Sequence, residues 1–269
     1  MSSKVLRRRS LKKKMPVATF NEIVNETEAL LERRLAKVQE LVDAESSDVN
    51  LNPFLMLMLA PAYNIFSPFE AAEHVQNAKL HQGDATAFGK FVETKILPHF
   101  GAAGPFEKKS EKSLFSPIDL ETEVEGKRYL VSLKAGPRTM NKAHANEMVD
   151  KFPGIHERTG AAIIIGIVYG KRGRLNNKPK EVEAGTGDYT HTLVGREFWE
   201  FMTGVRNAHE EIFRAIKAAQ ARFSSKHEGQ TFYEQMIQAR LQLAGSIREA
   251  FKLEGEETEM WEKIFEGSF

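Results

Sequence analysis

Two short stretches near the middle of the chain carry residue types that can do chemistry together. They are Ser116-Pro117-Ile118-Asp119 and Ser132-Leu133-Lys134, separated by a turn signal at Glu125-Gly126. Antiparallel pairing across that turn brings Asp119 beside Lys134 at one end of a hairpin. Phosphodiester hydrolysis needs such neighbours. A carboxylate holds a hard divalent cation against a phosphate oxygen, and an ammonium orients or helps to deprotonate the attacking water while offsetting phosphate charge. The cation expected is Mg²⁺, with Mn²⁺ as a substitute. An aspartate and an SxK also meet by chance, and the competing reading is a surface hairpin with a solvated Asp/Lys pair.

A hard cation calls for further oxygen donors. The acid usual two positions before the lysine is replaced by Ser132. Glu147 stands about two turns into the next predicted helix and can reach back to the vacant corner, while Glu93, on the helix before the hairpin, is the competing or additional candidate. The Leu133 carbonyl can supply another oxygen. Asp119, Lys134 and Glu147 are therefore the candidate catalytic residues, and Asp119, Leu133, Glu147 and Glu93 the candidate metal ligands.

The surrounding pattern supplies the elements that position these groups. Leu114–Glu123 and Arg128–Lys134 read as paired strands, Asn141–Phe152 as a short helix ended by Pro153-Gly154, and Ala161–Tyr169 as a strand covered on both faces. Hairpin, crossover helix and buried strand describe an α/β core with a mixed sheet. Upstream, apolar spacing predicts one long amphipathic helix from Val17 to Val42, a buried core helix opened by Asn52-Pro53-Phe54, and a helix from Asp84 stopped by Pro98. Downstream of the Gly170–Lys180 loop, Glu197–Met202, Val205–Phe223, Phe232–Leu253 and Glu257–Phe265 read as helices.

Composition narrows the class. At 269 residues and 41% hydrophobic content the chain can bury one sizeable core, or a core and a small helical subdomain. Without cysteine, disulfides and thiolate zinc sites are excluded. The longest uncharged apolar run, Leu51 to Phe69, is interrupted by Pro53, Pro61, Asn64 and Pro68, so no membrane span is expected, and no secretory signal is visible. The expected compartment is the cytoplasm. Net charge is +1, but Lys4, Arg7, Arg8, Arg9, Lys12, Lys13 and Lys14 precede the first acid, Glu22, and leave an acidic body behind them. Residues 1–16 read as a basic arm, either a solvated tail or a phosphate-binding extension. Residues 17–269 read as a single nuclease domain with a catalytic core over about 84–203, and residues 204–269 as helices for dimerisation or DNA contact.

Several motifs go further. NPF at Asn52, FGKFVETKILPHFGA from Phe88, PIDLE from Pro117, LVSLKAG from Leu130, FPG at Phe152, IIIGIVYG from Ile163 and GREFWEF from Gly195 together resemble a branch of type II restriction endonucleases. That branch reads interrupted GG…CC palindromes, RGGNCCY-like. The resemblance implies a PD-(D/E)xK fold, Mg²⁺ dependence, a homodimer on double-stranded DNA and a cognate DNA methyltransferase in the host. It assigns the catalytic aspartate and lysine to Asp119 and Lys134, departs from the general motif at Ser132, and favours Glu147 for the second acid.

Beside this site Arg138, Asn141, Lys142, His144 and Asn146 form a polar set able to contact base edges or backbone, set against a solvated helix start. Lys171, Arg172 and Arg174 read as a solvated turn suited to phosphate contact. Trp199 reads as core, Gly185-Thr186-Gly187-Asp188-Tyr189 as a turn, and the eight histidines show no paired ligand spacing. Two rival functions remain open on these residues: a structure-selective repair nuclease using the same Asp119 and Lys134, and a non-catalytic DNA-binding protein.

Overall fold

The computed structural model describes residues 10–43, 53–81, 84–104, 113–253 and 260–267. Lys4 to Arg9 of the basic arm, Asn52 and Glu257 lie outside the described residues. The elements in order are α1 (Val17–Asp43), α2 (Pro53–Tyr63), α3 (Pro68–His81), α4 (Asp84–Phe91), β1 (Leu120–Val124), β2 (Lys127–Lys134), α5 (Lys142–Thr159), β3 (Ala162–Ile167), α6 (Lys178–Thr186), β4 (Thr190–Val194), α7 (Arg196–Thr203), α8 (Ala208–Lys226), α9 (Phe232–Ala250) and α10 (Met260–Gly267). They divide into two compact units, Met1–Glu26 with Ala85–Ile216, and Thr27–Asp84 with Lys217–Phe269.

The first unit is built on a four-stranded sheet in the order β1-β2-β3-β4. β1 and β2 pair antiparallel across Glu125 and Gly126, both at positive φ as a tight hairpin turn requires. β2, β3 and β4 run parallel, joined by the crossover helices α5 and α6. This is the mixed α/β sheet flanked by helices that the hairpin, helix and buried strand predict, consistent with a restriction-endonuclease-like fold.

Period-two alternation decides the two faces. Leu130, Ile163, Ile165, Ile167 and Val194 pack with Ala145, Met148, Phe152 and Ile155 of α5 and Val182 of α6. On the opposite face α7 closes over the sheet: Phe198 lies so near Gly166 that an added Cβ would sit 2.4 Å from its ring, and Phe201 meets Tyr129 edge-on with centroids 5.0 Å apart. The Trp199 indole donates to the Val168 carbonyl at 2.9 Å, and its 5% exposure makes it the core residue expected.

Five details differ from the sequence reading. β1 starts at Leu120 rather than Leu114, because residues 114–117 form a turn in which the Ile118 N–H bonds the Phe115 carbonyl. α5 runs on through Pro153 to Thr159. Pro153 faces solvent, where water is available to the carbonyl that its missing N–H leaves without a helical partner. The helix at Asp84 does not end at Pro98 but loosens and then tightens, through a π turn at Val92–Ile96 and a 3-10 turn at Leu97–Phe100. α3, α6 and β4 were not expected, the last two falling where Gly185 and Gly187 suggest only turns. α2 forms, but Phe54, Met58 and Tyr63 are exposed, so it is not a wholly buried helix.

At the N-terminal side, the Lys12 N–H bonds the Gly204 carbonyl, the Arg206 N–H bonds the Lys12 carbonyl, and Met15 is buried. In the second unit α3 and α9 pack together. Arg240 is buried there, donating to Gln76 and Glu73 with its guanidinium 5.5 Å from the Phe69 ring centre. No helix among the described residues is long and apolar enough to cross a membrane.

Candidate active site

The site arises because β2 outruns β1. Leu120, the first residue of β1, pairs with Val131, so Ser132, Leu133 and Lys134 continue without a strand on that side. On their other side they pair with Ile165, Gly166 and Ile167 of β3. The Lys134 carbonyl accepts from Val168 at 3.0 Å and so points to β3; alternation then turns the N–H and C=O of Leu133 the opposite way. Asp119 fills that gap: its carboxylate Oδ2 accepts the Leu133 N–H at 2.7 Å. Its own N–H donates to the Val131 carbonyl at 2.8 Å. The carboxylate is thereby fixed beside the backbone that separates Ser132 from Lys134.

Alternation also puts Ser132 and Lys134 on the sheet face covered by α5. Ser132 is fully buried, and its hydroxyl oxygen accepts from the Lys134 ammonium at 3.4 Å, a long and weak bond. Position 132 therefore touches the lysine without bringing negative charge.

Glu147 stands on α5 beside the apolar stripe of Ala145, Met148, Phe152 and Ile155. Its carboxylate accepts the Ser116 hydroxyl at 2.5 Å and the Lys151 ammonium at 3.0 Å. Lys151 also donates to the Ser116 hydroxyl at 2.5 Å and to the Ser113 carbonyl at 3.2 Å. The network ties α5 to the turn that leads into Asp119. The hydrogen bond from Ser116, then that from Lys151, hold the Glu147 carboxyl below the usual carboxylate range against the opposing effect of burial. Neither the bonds of Ser116 to Glu147 and Lys151 nor a role for Lys151 follows from the sequence, whose only signal of the network is the i,i+4 spacing of Glu147 and Lys151, common on exposed helix faces.

Glu93 sits in the π turn and pairs with Lys90 at 2.7 Å. Among the described residues no group of three or more His, Asp or Glu side chains gathers as a metal cluster. The oxygen donors at the hairpin end are the Asp119 carboxylate and the Leu133 backbone, joined through the Leu133 N–H at 2.7 Å, while Glu147 stands on α5, which covers the face carrying Ser132 and Lys134. Mg²⁺ keeps several waters and takes one or two carboxylates, so this sparse, all-oxygen set fits it better than it would fit zinc or calcium.

Arg138, Asn141, Lys142, His144 and Asn146 are all exposed around the start of α5. Asn141 has a structural task as well: its side-chain oxygen caps the helix by accepting the His144 N–H at 2.9 Å. In the next loop Arg172 is occupied, donating to the Thr192 carbonyl at 2.6 Å and to Glu197 at 2.7 Å, whereas Lys171 and Arg174 are exposed.

Comparison with known families bears on this geometry. A family model described as type II restriction endonuclease EcoO109I matches residues 19–224, a stretch that includes the whole sheet, the Asp119 to Lys134 hairpin and α5. No curated protein matches the chain.

Proposed function

The chain belongs to the type II restriction endonuclease EcoO109I family and is thus a DNA-binding hydrolase of that class, and from that premise we propose that it cuts both strands of duplex DNA at a short palindromic GG…CC-like site in a Mg²⁺-dependent reaction. The observation that carries the reading is the Asp119 carboxylate bonded to the Leu133 N–H, with Lys134 next along the same strand where β2 is left without a neighbour.

In this reading Asp119 and the Leu133 carbonyl, with Glu147, would hold Mg²⁺, which would supply positive charge against a phosphate oxygen and make the attacking water more acidic. Lys134 orients the attacking water and offsets phosphate charge; Glu93, engaged with Lys90, is left aside. Arg138, Lys142, His144 and Asn146 contact the DNA next to the scissile phosphate, as does the amide nitrogen of Asn141. One such site hydrolyses one strand, so two subunits related by a two-fold axis make the double-strand break and read a palindrome. The catalytic core lies within residues 84–203. The setting is a bacterial cytoplasm in which a methyltransferase protects the host's own sites.

The test is digestion of a mixed-sequence plasmid with Mg²⁺. Discrete bands whose ends share a symmetric GG…CC-like sequence are expected; a smear or an unchanged plasmid refutes the proposal. EDTA stops the reaction and Mg²⁺ or Mn²⁺ restores it, whereas full activity in EDTA after metal stripping contradicts the metal assignment.

A further inference from the structure

Two of the sequence motifs meet at a point that neither reveals alone. Tyr169, at the end of IIIGIVYG, lies over Gly136, at the end of LVSLKAG: an added Cβ on Gly136 would stand 2.6 Å from both the Tyr169 phenol oxygen and the ring carbon that bears it. One step further along, Pro137 packs on Gly170, whose added Cβ would meet the proline ring at 3.0 Å. Asn176 closes the seam, its N–H donating to the Pro137 carbonyl at 3.2 Å and its side-chain amide to the Met140 carbonyl at 2.8 Å. The loops that leave β2 and β3 are therefore one knitted surface.

Lys134 pairs with Ile167 at the ends of β2 and β3, so the loops that carry Gly136 and Tyr169 leave the sheet side by side, just beyond the candidate catalytic lysine. Tyr169 nevertheless keeps 57% of its surface exposed, although it is aromatic and has Gly136 beneath it. Exposed cations stand on both loops, Lys171 and Arg174 just after Tyr169 and Arg138 just after Gly136. Neither Lys171 nor Arg174 forms an ion pair with a described residue. An aromatic ring backed by glycine, immediately beyond the candidate catalytic lysine and flanked by cations, has the chemistry to receive a nucleotide. The ring packs on a sugar or base face, and the cations take the flanking phosphates.

We propose that Tyr169, Lys171 and Arg174 form a DNA-contact platform on the β3 side of the active site, with the Tyr169 ring packed against a nucleotide next to the scissile phosphate. The proposal rests on the nuclease reading above and adds a ligand-bearing surface that Asp119, Lys134 and the α5 residues do not supply. Gly136 is then needed because any side chain there displaces the ring, and Arg172 serves to brace the loop through Thr192 and Glu197 rather than to touch DNA.

The experiment uses the full chain and a short duplex taken from around a mapped cut position, with binding measured in Ca²⁺ over a range of salt and cleavage measured in Mg²⁺. Tyr169→Ala is expected to bind about ten-fold more weakly, the loss of one aromatic contact, while Tyr169→Phe stays within about two-fold. Lys171→Ala/Arg174→Ala, two exposed changes that leave the core untouched, should lower the slope of log affinity against log salt by about one to two. Wild-type binding by Tyr169→Ala, loss by Tyr169→Phe equal to that of Tyr169→Ala, or an unchanged salt slope in the double variant each overturn the platform. If the wild-type chain itself neither binds nor cuts any duplex, the nuclease reading fails first and the platform with it. If wild type cuts normally and the variants match it, only the platform fails.

Discussion

Replacing Ser116 by alanine isolates the link between α5 and the turn that carries Asp119. The hydroxyl makes two bonds of 2.5 Å, donating to Glu147 and accepting from Lys151. Hydrogen bonds with charged partners contribute about 1.5 to 3 kcal/mol each. Here Lys151 keeps the Ser113 carbonyl and the Glu147 carboxylate, and the Glu147 side chain is 38% exposed, so water replaces part of what is lost. The net cost expected for Ser116→Ala is about 1 to 2 kcal/mol, or roughly 2 to 8 °C in Tm for a unit of this size. The assay is urea and thermal unfolding of Ser116→Ala, Glu147→Ala and the double variant. A coupling of about 1 kcal/mol is expected, because both single changes break the same bond. Additive costs, or a Ser116→Ala chain as stable as wild type, would refute the network. In catalysis Ser116→Ala should raise the Mg²⁺ concentration needed for half-maximal cutting while leaving the rate at saturating Mg²⁺ nearly intact. Ser116→Thr should restore both.

Three further outcomes follow from other parts of the structure. Gly166→Ala drives a methyl group into the Phe198 ring, 2.4 Å from its nearest carbon, and should destabilise the first unit by about 2 to 4 kcal/mol; an unchanged denaturation midpoint would show that Phe198 gives way freely. In the second unit Glu28 is nearly buried and held by Lys226 and Arg222, which keep its pKa below the ordinary 4.5. Because the folded pKa is the lower one, its contribution is complete above about pH 4.5 and is lost as pH falls through the folded value. Glu28→Gln should therefore be less stable than wild type at neutral pH, with the gap closing in acid; a gap that stays constant contradicts the pairing. Light scattering should give twice the 30.4 kDa chain mass in solution, and a strictly monomeric, fully active enzyme would defeat the two-fold reading.

The parts of the fold legible in the sequence are those where one periodicity is uninterrupted. AAIIIGIVY fits a strand covered on both faces and forms one over Ala162–Ile167, the Glu125-Gly126 turn sets the hairpin, and the crossover between them follows from the parallel sheet. β4 is short and carries two threonines, so its alternation is easily lost between Gly187 and Gly195, and with it went α6. Pro153 misled because its effect depends on which way it faces, which sequence does not report. At the site, Asp119, Leu133 and Lys134 are neighbours through strand register and so were readable in advance. Ser116 and Tyr169 meet their partners only through tertiary packing, between segments whose local patterns give no hint of each other, and Lys151, though spaced i,i+4 from Glu147, reaches Ser113 and Ser116 in the same way.

The central claim is that Asp119 belongs to the hydrolytic centre, and single-turnover cleavage of a mapped duplex by Asp119→Asn tests it most directly. The side chain keeps its size and an oxygen able to accept the Leu133 N–H, so the hairpin stays formed while the negative charge is removed. The rate at saturating Mg²⁺ should fall by about three orders of magnitude or more, with binding in Ca²⁺ within a few-fold of wild type. Cleavage by Asp119→Asn at close to the wild-type rate would contradict the account.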